Sequence, residues 1–273
     1  MNIRIVIFNI LIVFFLLAAV IFPAVLLGGI SGEFIRMVWP IVLVIILTLA
    51  GMNIFFLSNR RLFALLEKED WPALAGYLDK KVNGQGRYSS RDVRLLAQSW
   101  LVQGSFDKIL QLENRLASDK PALVEEYALV FGAARILGRT AGGDFSSASG
   151  FFKTRLEKKK PVSADWLSWY YGFSLLLDNA IGEAGAIFIM LAANAKDIPV
   201  TALAAFFLSE IMGKNLPSNT EWLAIAEEGR MRVLKAVKTA SAWEKKTTML
   251  KTTVHGVIIK NYLDETGTWV FGG

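Results

Sequence analysis

Between Ile5 and Leu57 only twelve residues fall outside the hydrophobic set, and only Glu33 and Arg36 among them are charged. No other feature constrains the fold so strongly. About 20 apolar residues in helical form, at roughly 1.5 Å each, match the ~30 Å hydrocarbon layer of a bilayer. The run Ile5–Leu27 is interrupted only by Asn9 and Pro23. A second run, Met37–Leu57, carries Thr48 and Asn53, which can bond a helix carbonyl or a neighbouring helix. Pro40 falls in its first turn, where a missing N–H costs little, and Trp39 takes an interfacial position. Both runs predict spanning helices, made antiparallel neighbours by the short connection Gly28–Arg36. The first run exceeds the roughly 7–15 residues of a signal-peptide core and no A-x-A site follows, so it reads as an uncleaved anchor. Arg4 with the amino terminus, and Arg60 with Arg61, flank the hairpin outside, while its connection sets Arg36 against Glu33. The positive-inside bias therefore predicts an inner-membrane, two-pass protein with both termini cytoplasmic.

Outside this region the hydrophobic share falls to roughly 47%, an ordinary globular value. The chain thus reads as an anchor plus soluble-type helical domains, not as a polytopic transporter. With no cysteine, disulfide scaffolds, thiolate zinc sites and cysteine nucleophiles are excluded. The lone His255 lacks the partners of a metal site. A net charge of +6 with acids and bases interspersed is no nucleic-acid footprint. Gly84–Gln85–Gly86 and Gly142–Gly143–Asp144 lack P-loop spacing. The Gly143–Gly150 segment fails G-x-S-x-G and reads as a turn in which Asp144 or Ser146 caps a helix. Glu67/Glu69, Glu125/Glu126 and Glu227/Glu228 are spaced so that a helix points them apart, leaving no acid/base pair. We expect no enzyme activity, no cofactor, no metal and no small-molecule substrate.

From Arg60 onward apolar residues recur at three- and four-residue spacings, which predicts helix almost throughout. A break is expected at Asp70–Trp71–Pro72, a turn at Asn83–Gly86, and a cap at Ser89 or Ser90 with Asp92 in the first turn. Further helices are expected from Ser163–Asp165, over Ile181–Asn194, after Pro199, over Glu221–Val237 behind a Pro217–Asn219 cap, and from about Ser241 to Leu263. Thr268–Phe271 is the one stretch that reads as a strand.

In Ser90–Leu123, Val93, Leu96, Ala97 and Trp100 precede Gly104, followed by Phe106, Ile109, Leu110, Leu116 and Pro121. This order resembles the tetratricopeptide repeat (TPR), a 34-residue helix–turn–helix. Ile109 stands where that family has a small alanine, and Glu113 where it has an aromatic. Weaker echoes run through Trp71/Leu74/Leu78, Tyr127/Val130/Phe131/Ala134 with Phe145/Ala148/Phe152, and Trp166/Trp169/Tyr170/Phe173. The resemblance implies an all-α fold: two transmembrane helices followed by a TPR-like α-solenoid of stacked hairpins, with the tryptophans in its core. The expected division is a hairpin over 1–58, a repeat domain over 59–240, and a capping helix and tail over 241–273. The layout is similar to that of other membrane-anchored TPR proteins, including the HemY-type amino-terminal architecture.

In such a stack the helix-A residues spared from packing line a concave face. Carried over, the resemblance puts Arg91, Arg94, Gln98, Glu125, Arg135 and Tyr171 there as a candidate groove for a partner peptide or helix. Arginines beside an aromatic suit acidic or C-terminal carboxylate groups. The expected partners are other proteins and the lipid bilayer, and the expected role is a scaffold or adaptor in an envelope-associated complex. Two alternatives remain: an enzyme with an unrecognised pocket, and a small membrane subunit packing through Gly28, Gly29 and Gly51. The basic section holding Arg230, Arg232, Lys235, Lys238, Lys245, Lys246 and Lys251 is a candidate contact for anionic lipid. Lys158–Lys160 reads as a charge complement to a helix C-terminus.

Overall fold

A computed structural model describes residues 14, 18, 32–84, 86, 88–139, 144–158, 161–214, 220–253 and 256–272. All regular structure among them is helical. Apart from Phe14 and Ala18, the first apolar run lies outside the described residues, as do Gly142–Gly143, Lys159–Lys160, the Pro217–Asn219 cap and His255. The chain divides into two compact units between Asp70 and Trp71.

In the first unit, helix α1 spans Gly32–Ser58 and α2 spans Arg60–Glu67. Val44, Leu47, Ile54 and Leu57 of α1 are each more than 60% exposed. As expected, Thr48 Oγ1 donates to the Val44 carbonyl (2.8 Å) and Asn53 Nδ2 to the Leu49 carbonyl (2.9 Å). Among the described residues no single helix is long and apolar enough to cross a membrane. The pair Leu43–Ser58 and Arg60–Glu67 meets the requirement only together, and it is bent by 64°.

The second unit holds twelve described helices. They are α3 (Trp71–Asp79, continued by a π turn over Lys80–Gly84), α4 (Ser90–Val102), α5 (Phe106–Asp119) and α6 (Pro121–Glu126). Next come α7 (Ala128–Leu137), α8 (Ser146–Leu156), α9 (Ala164–Leu177) and α10 (Ile181–Asn194). The last are α11 (Ile198–Phe206, continued by a π segment over Phe207–Gly213), α12 (Thr220–Val237), α13 (Ala240–Lys251) and α14 (Gly256–Phe271). Start signals act as read from the sequence. Ser89 Oγ accepts from the Asp92 N–H (3.1 Å), Pro121 opens α6, and Pro199 lies in the first turn of α11. Asp144 Oδ1 accepts the Ser146 N–H (2.7 Å), making the Asp144 side chain the cap before α8.

The turn after α4 needs a left-handed residue, and Gly104 supplies it at φ +66°. Ser105 N–H bonds the Trp100 carbonyl and Gly104 N–H the Leu101 carbonyl, which closes the helix in a Schellman motif. Asn179, at φ 62°, closes α9 in the same way through Leu175 and Leu176.

Packing follows chain order. Helices α3 to α12 lie mainly against the next helix or the next but one: α4 on α5, α5 on α7, α7 on α8 and α9, α9 on α10 and α11, α10 on α11 and α12. The core is aromatic where these layers meet. Trp169 stacks on Phe173 (5.1 Å between ring centroids) and meets Phe207 edge-on, while Tyr170 stacks on Phe152 (5.5 Å). Trp100, Trp166 and Trp169 are buried and Trp71 is half-buried.

Two expectations at the C-terminus are corrected. The single closing helix is two helices, α13 and α14, and Thr268–Phe271 is the last turn of α14. A Cβ at Gly256 would lie 2.5 Å from the Leu250 carbonyl oxygen, so backbone crowds backbone where the chain turns. Val270 is buried and Thr268 Oγ1 bonds the Asp264 carbonyl one turn back, which is helical and not strand geometry. Helix α14 returns onto α11 and α12, with Tyr262 between Phe173 and Phe207 and Trp269 against Phe206.

Candidate partner-binding site

Arg91, Arg94 and Gln98 fall at i, i+3 and i+7 of α4, a single stripe of that helix. Arg94 is exposed; Arg91 and Gln98 are half-buried. The stripe begins beside a polar tie between helices. Ser90 Oγ donates to Glu126 Oε1 (2.7 Å) and meets the Tyr127 hydroxyl, which donates to the Ser90 carbonyl (3.0 Å). Burial raises the Tyr127 pKa, and the hydrogen bond with Ser90 opposes the shift.

Glu125 and Arg135 come together elsewhere, in a charge cluster facing α5 and α8. Arg135 donates to Glu113 Oε2 at 2.7 Å, and Arg155 approaches Glu113 Oε1 at 3.5 Å. Lys158 Nζ pairs with Glu125 Oε1 at 2.7 Å, and Arg155 Nε lies 3.9 Å from the same oxygen. The Phe151 ring carries both guanidinium groups, with the Arg155 Cζ 3.4 Å and the Arg135 Cζ 4.7 Å from its centroid. Burial pushes the Glu113 carboxyl up, while Arg135 and Arg155 pull it partly back. Burial likewise lowers Arg155, against the pull of Glu125 and Glu113.

Arg135 and Glu125 are thus occupied by helix-to-helix contacts. Tyr171 is half-buried on α9. The six expected groove residues therefore divide into the α4 stripe, the charge cluster and Tyr171. Sequence reasoning missed Glu113, Phe151 and Arg155 as one constellation. Its signal was visible: a carboxylate at a packing position demands buried cations.

The basic C-terminal section is also partly spent on the fold. Arg232 donates to the carbonyls of Ala192 (2.6 Å) and Ala195 (3.1 Å), and Arg230 donates to the Val270 carbonyl. Lys251 bridges Glu244 (2.8 Å) and Asp264 (2.6 Å). Among the described residues no group of His, Cys, Asp and Glu is arranged to hold a metal ion.

A set of ties recurs at nearly constant chain separation. Gln103, just before the left-handed Gly104, donates to the Trp71 carbonyl at the start of α3 (3.2 Å). Asp178, just before the left-handed Asn179, accepts the Phe145 N–H at the start of α8 (2.7 Å). The separations are 32 and 33 residues. Tyr88 bonds Asp119 and Trp166 bonds Asp197, each across 31 residues.

Comparison with known proteins places the chain in sequence space. A protein of Treponema pallidum (strain Nichols), described as an uncharacterized protein, is 27% identical over 188 residues. The match covers 69% of this chain and 58% of that relative, so the chain spans less than two thirds of its length. No solved structure matches. Residues 108–272, more than half the chain, match a family described as uncharacterised Treponema protein, and the chain belongs to that family.

Proposed function

We propose that the protein is a non-catalytic, membrane-anchored helical-repeat adaptor that recruits other proteins to an envelope-associated complex. The recurring tie carries this reading: in two places, before Gly104 and before Asn179, the side chain preceding a left-handed turn residue bonds the start of the preceding helix, 32 or 33 residues back. That is the signature expected when one supersecondary unit is stacked repeatedly, and the chain-order packing of α3–α12 supports it. Stacked hairpins build an extended surface and not a closed cleft, which suits partner binding. The exposed apolar side of α1 supports the anchor, with the first apolar run supplying the second pass. Both termini are cytoplasmic on the charge bias of the flanks.

The α4 stripe of Arg91, Arg94 and Gln98 is the part of the expected groove to test first. In the full-length protein purified in mild detergent, Arg91→Glu with Arg94→Glu is expected to remove specific partners while leaving the helical signal unchanged. Retention of every partner would sink the groove assignment. A reporter fused to the C-terminus tests the orientation, since periplasmic activity there would reverse it.

A further inference from the structure

Helix α12 buries one stripe and exposes the opposite one. Trp222, Ala226, Gly229 and Val233 are buried where α12 meets α10 and α11, and a Cβ at Gly229 would stand 3.0 Å from that of Ala205. Half a turn round the helix, Ala224, Glu228, Met231 and Lys235 are exposed, Met231 by 56%. An open groove follows this side, lined among the described residues by Ala224, Glu227, Glu228, Met231, Leu234 and Lys235. A helix that ends a stack needs a polar outer face to stay single, and the middle of this one is apolar. Two charges on the stripe are free. Arg232, one turn beyond Glu228, is turned inward to the Ala192 and Ala195 carbonyls, so Glu228 makes no ion pair among the described residues. Lys235 has Met231 one turn behind it and likewise closes on no described carboxylate, whereas Glu227 pairs with Arg230 at 3.5 Å. Glu228 and Lys235 stand about 10.5 Å apart along the helix, too far to pair with each other.

We infer that this stripe is a self-association surface, on which a second copy of the chain lays its own α12 antiparallel across a two-fold axis at Met231. The pattern is self-complementary, as a two-fold interface requires. Met231 lies midway between Glu228 and Lys235. The antiparallel copy therefore sets Met231 on Met231 and Glu228 of each copy opposite Lys235 of the other. A parallel copy would set like charges together. Anionic lipid is opposed by Glu227 and Glu228, and a partner surface of one sign meets both signs here. A second copy answers both and supplies hydrocarbon between them. One face of an 18-residue helix, about 27 Å long, falls short of the roughly 1,200–2,000 Å² buried in stable complexes, so the pairing is weak and concentration-dependent. The inference goes beyond the adaptor reading and needs neither the α4 stripe nor the anchor.

The absence of native cysteine makes the test direct, because an introduced thiol can form a disulfide only with its own counterpart. Full-length Met231→Cys, mildly oxidised in native membranes, is expected to give far more disulfide-linked dimer than Val162→Cys, a site of matching exposure (54%) before α9. Adding Glu228→Lys, or Lys235→Glu, to Met231→Cys should each lower the dimer yield roughly tenfold, because two attractive contacts across the axis become repulsive. Mixing those two charge-reversed copies should restore the yield, since every lysine on one then faces a glutamate on the other. A Met231→Cys yield no higher than that of Val162→Cys would overturn the inference. So would a dimer indifferent to both charge reversals, which is the result expected if copies associate through the amino-terminal apolar run. Failure of the mixed copies to recover would overturn it as well, because loss without rescue is what damage to the helix alone produces.

Discussion

Replacing Glu113 with Gln should destabilise the helical unit sharply. The Glu113 side chain is 8% exposed, and the side chains of Arg135 and Arg155 are 21% and 12% exposed. Removing the carboxylate's charge leaves two nearly buried guanidinium groups facing one neutral amide. Breaking a buried pair from one side costs about 3–5 kcal/mol. Arg155 retains Glu125 at 3.9 Å and both arginines keep the Phe151 face, so the lower end, about 3 kcal/mol, applies. For a unit of this size that corresponds to a midpoint lowered by roughly 6–12 °C. Thermal unfolding of the full-length protein in detergent, followed by circular dichroism, reads this directly. The triple change Glu113→Leu, Arg135→Met, Arg155→Leu should recover most of the loss, because no buried charge is left unpaired. A Glu113→Gln midpoint within about 2 °C of the wild type, or a triple variant no better than the single one, would refute the clamp.

Three further outcomes follow from the same packing. A Cβ at Gly132 would run into the Phe152 ring, so Gly132→Ala should cost about 1–3 kcal/mol in a chemical denaturation series, with Phe152→Leu restoring part of it. Asp178→Ala should cost about 1–2 kcal/mol and Gln103→Ala less than about 1 kcal/mol, since the charged acceptor makes the stronger of the two equivalent ties. Lys214 first, and then Ser209, hold the Glu210 carboxyl below its ordinary value, so its contribution is full above the usual glutamate range and is lost as pH falls through the lowered value. The midpoint difference between wild type and Glu210→Gln should therefore shrink on acidification; a difference that grows would contradict the pairing.

Much of the helical layout was legible because its punctuation is local. Ser89, Pro121, Pro199 and Gly104 act on the few residues beside them, and α10 occupies the range its apolar spacing marks out. The closing hairpin was not legible, because the helical spacing runs on past residue 251; Gly256, where the Leu250 carbonyl leaves no room for a Cβ, permits the turn without announcing it. Side-chain roles were harder still. Arg135 looks like an exposed groove residue from its place on α7, and its actual partner, Glu113, is 22 residues away on α5. Spacing on one helix shows which residues share a face; it does not show which neighbour that face meets. Glu113 itself was the available clue, since a carboxylate at a packing position requires cations that only tertiary structure can deliver.

The adaptor reading is tested most directly by a photo-crosslinker placed at Arg94 in the full-length protein, read after carbonate washing of native membranes. The account predicts discrete adducts that stay in the washed membrane fraction and disappear when Arg91→Glu is added. A protein released into the supernatant, carrying no adduct that depends on Arg91, would contradict it.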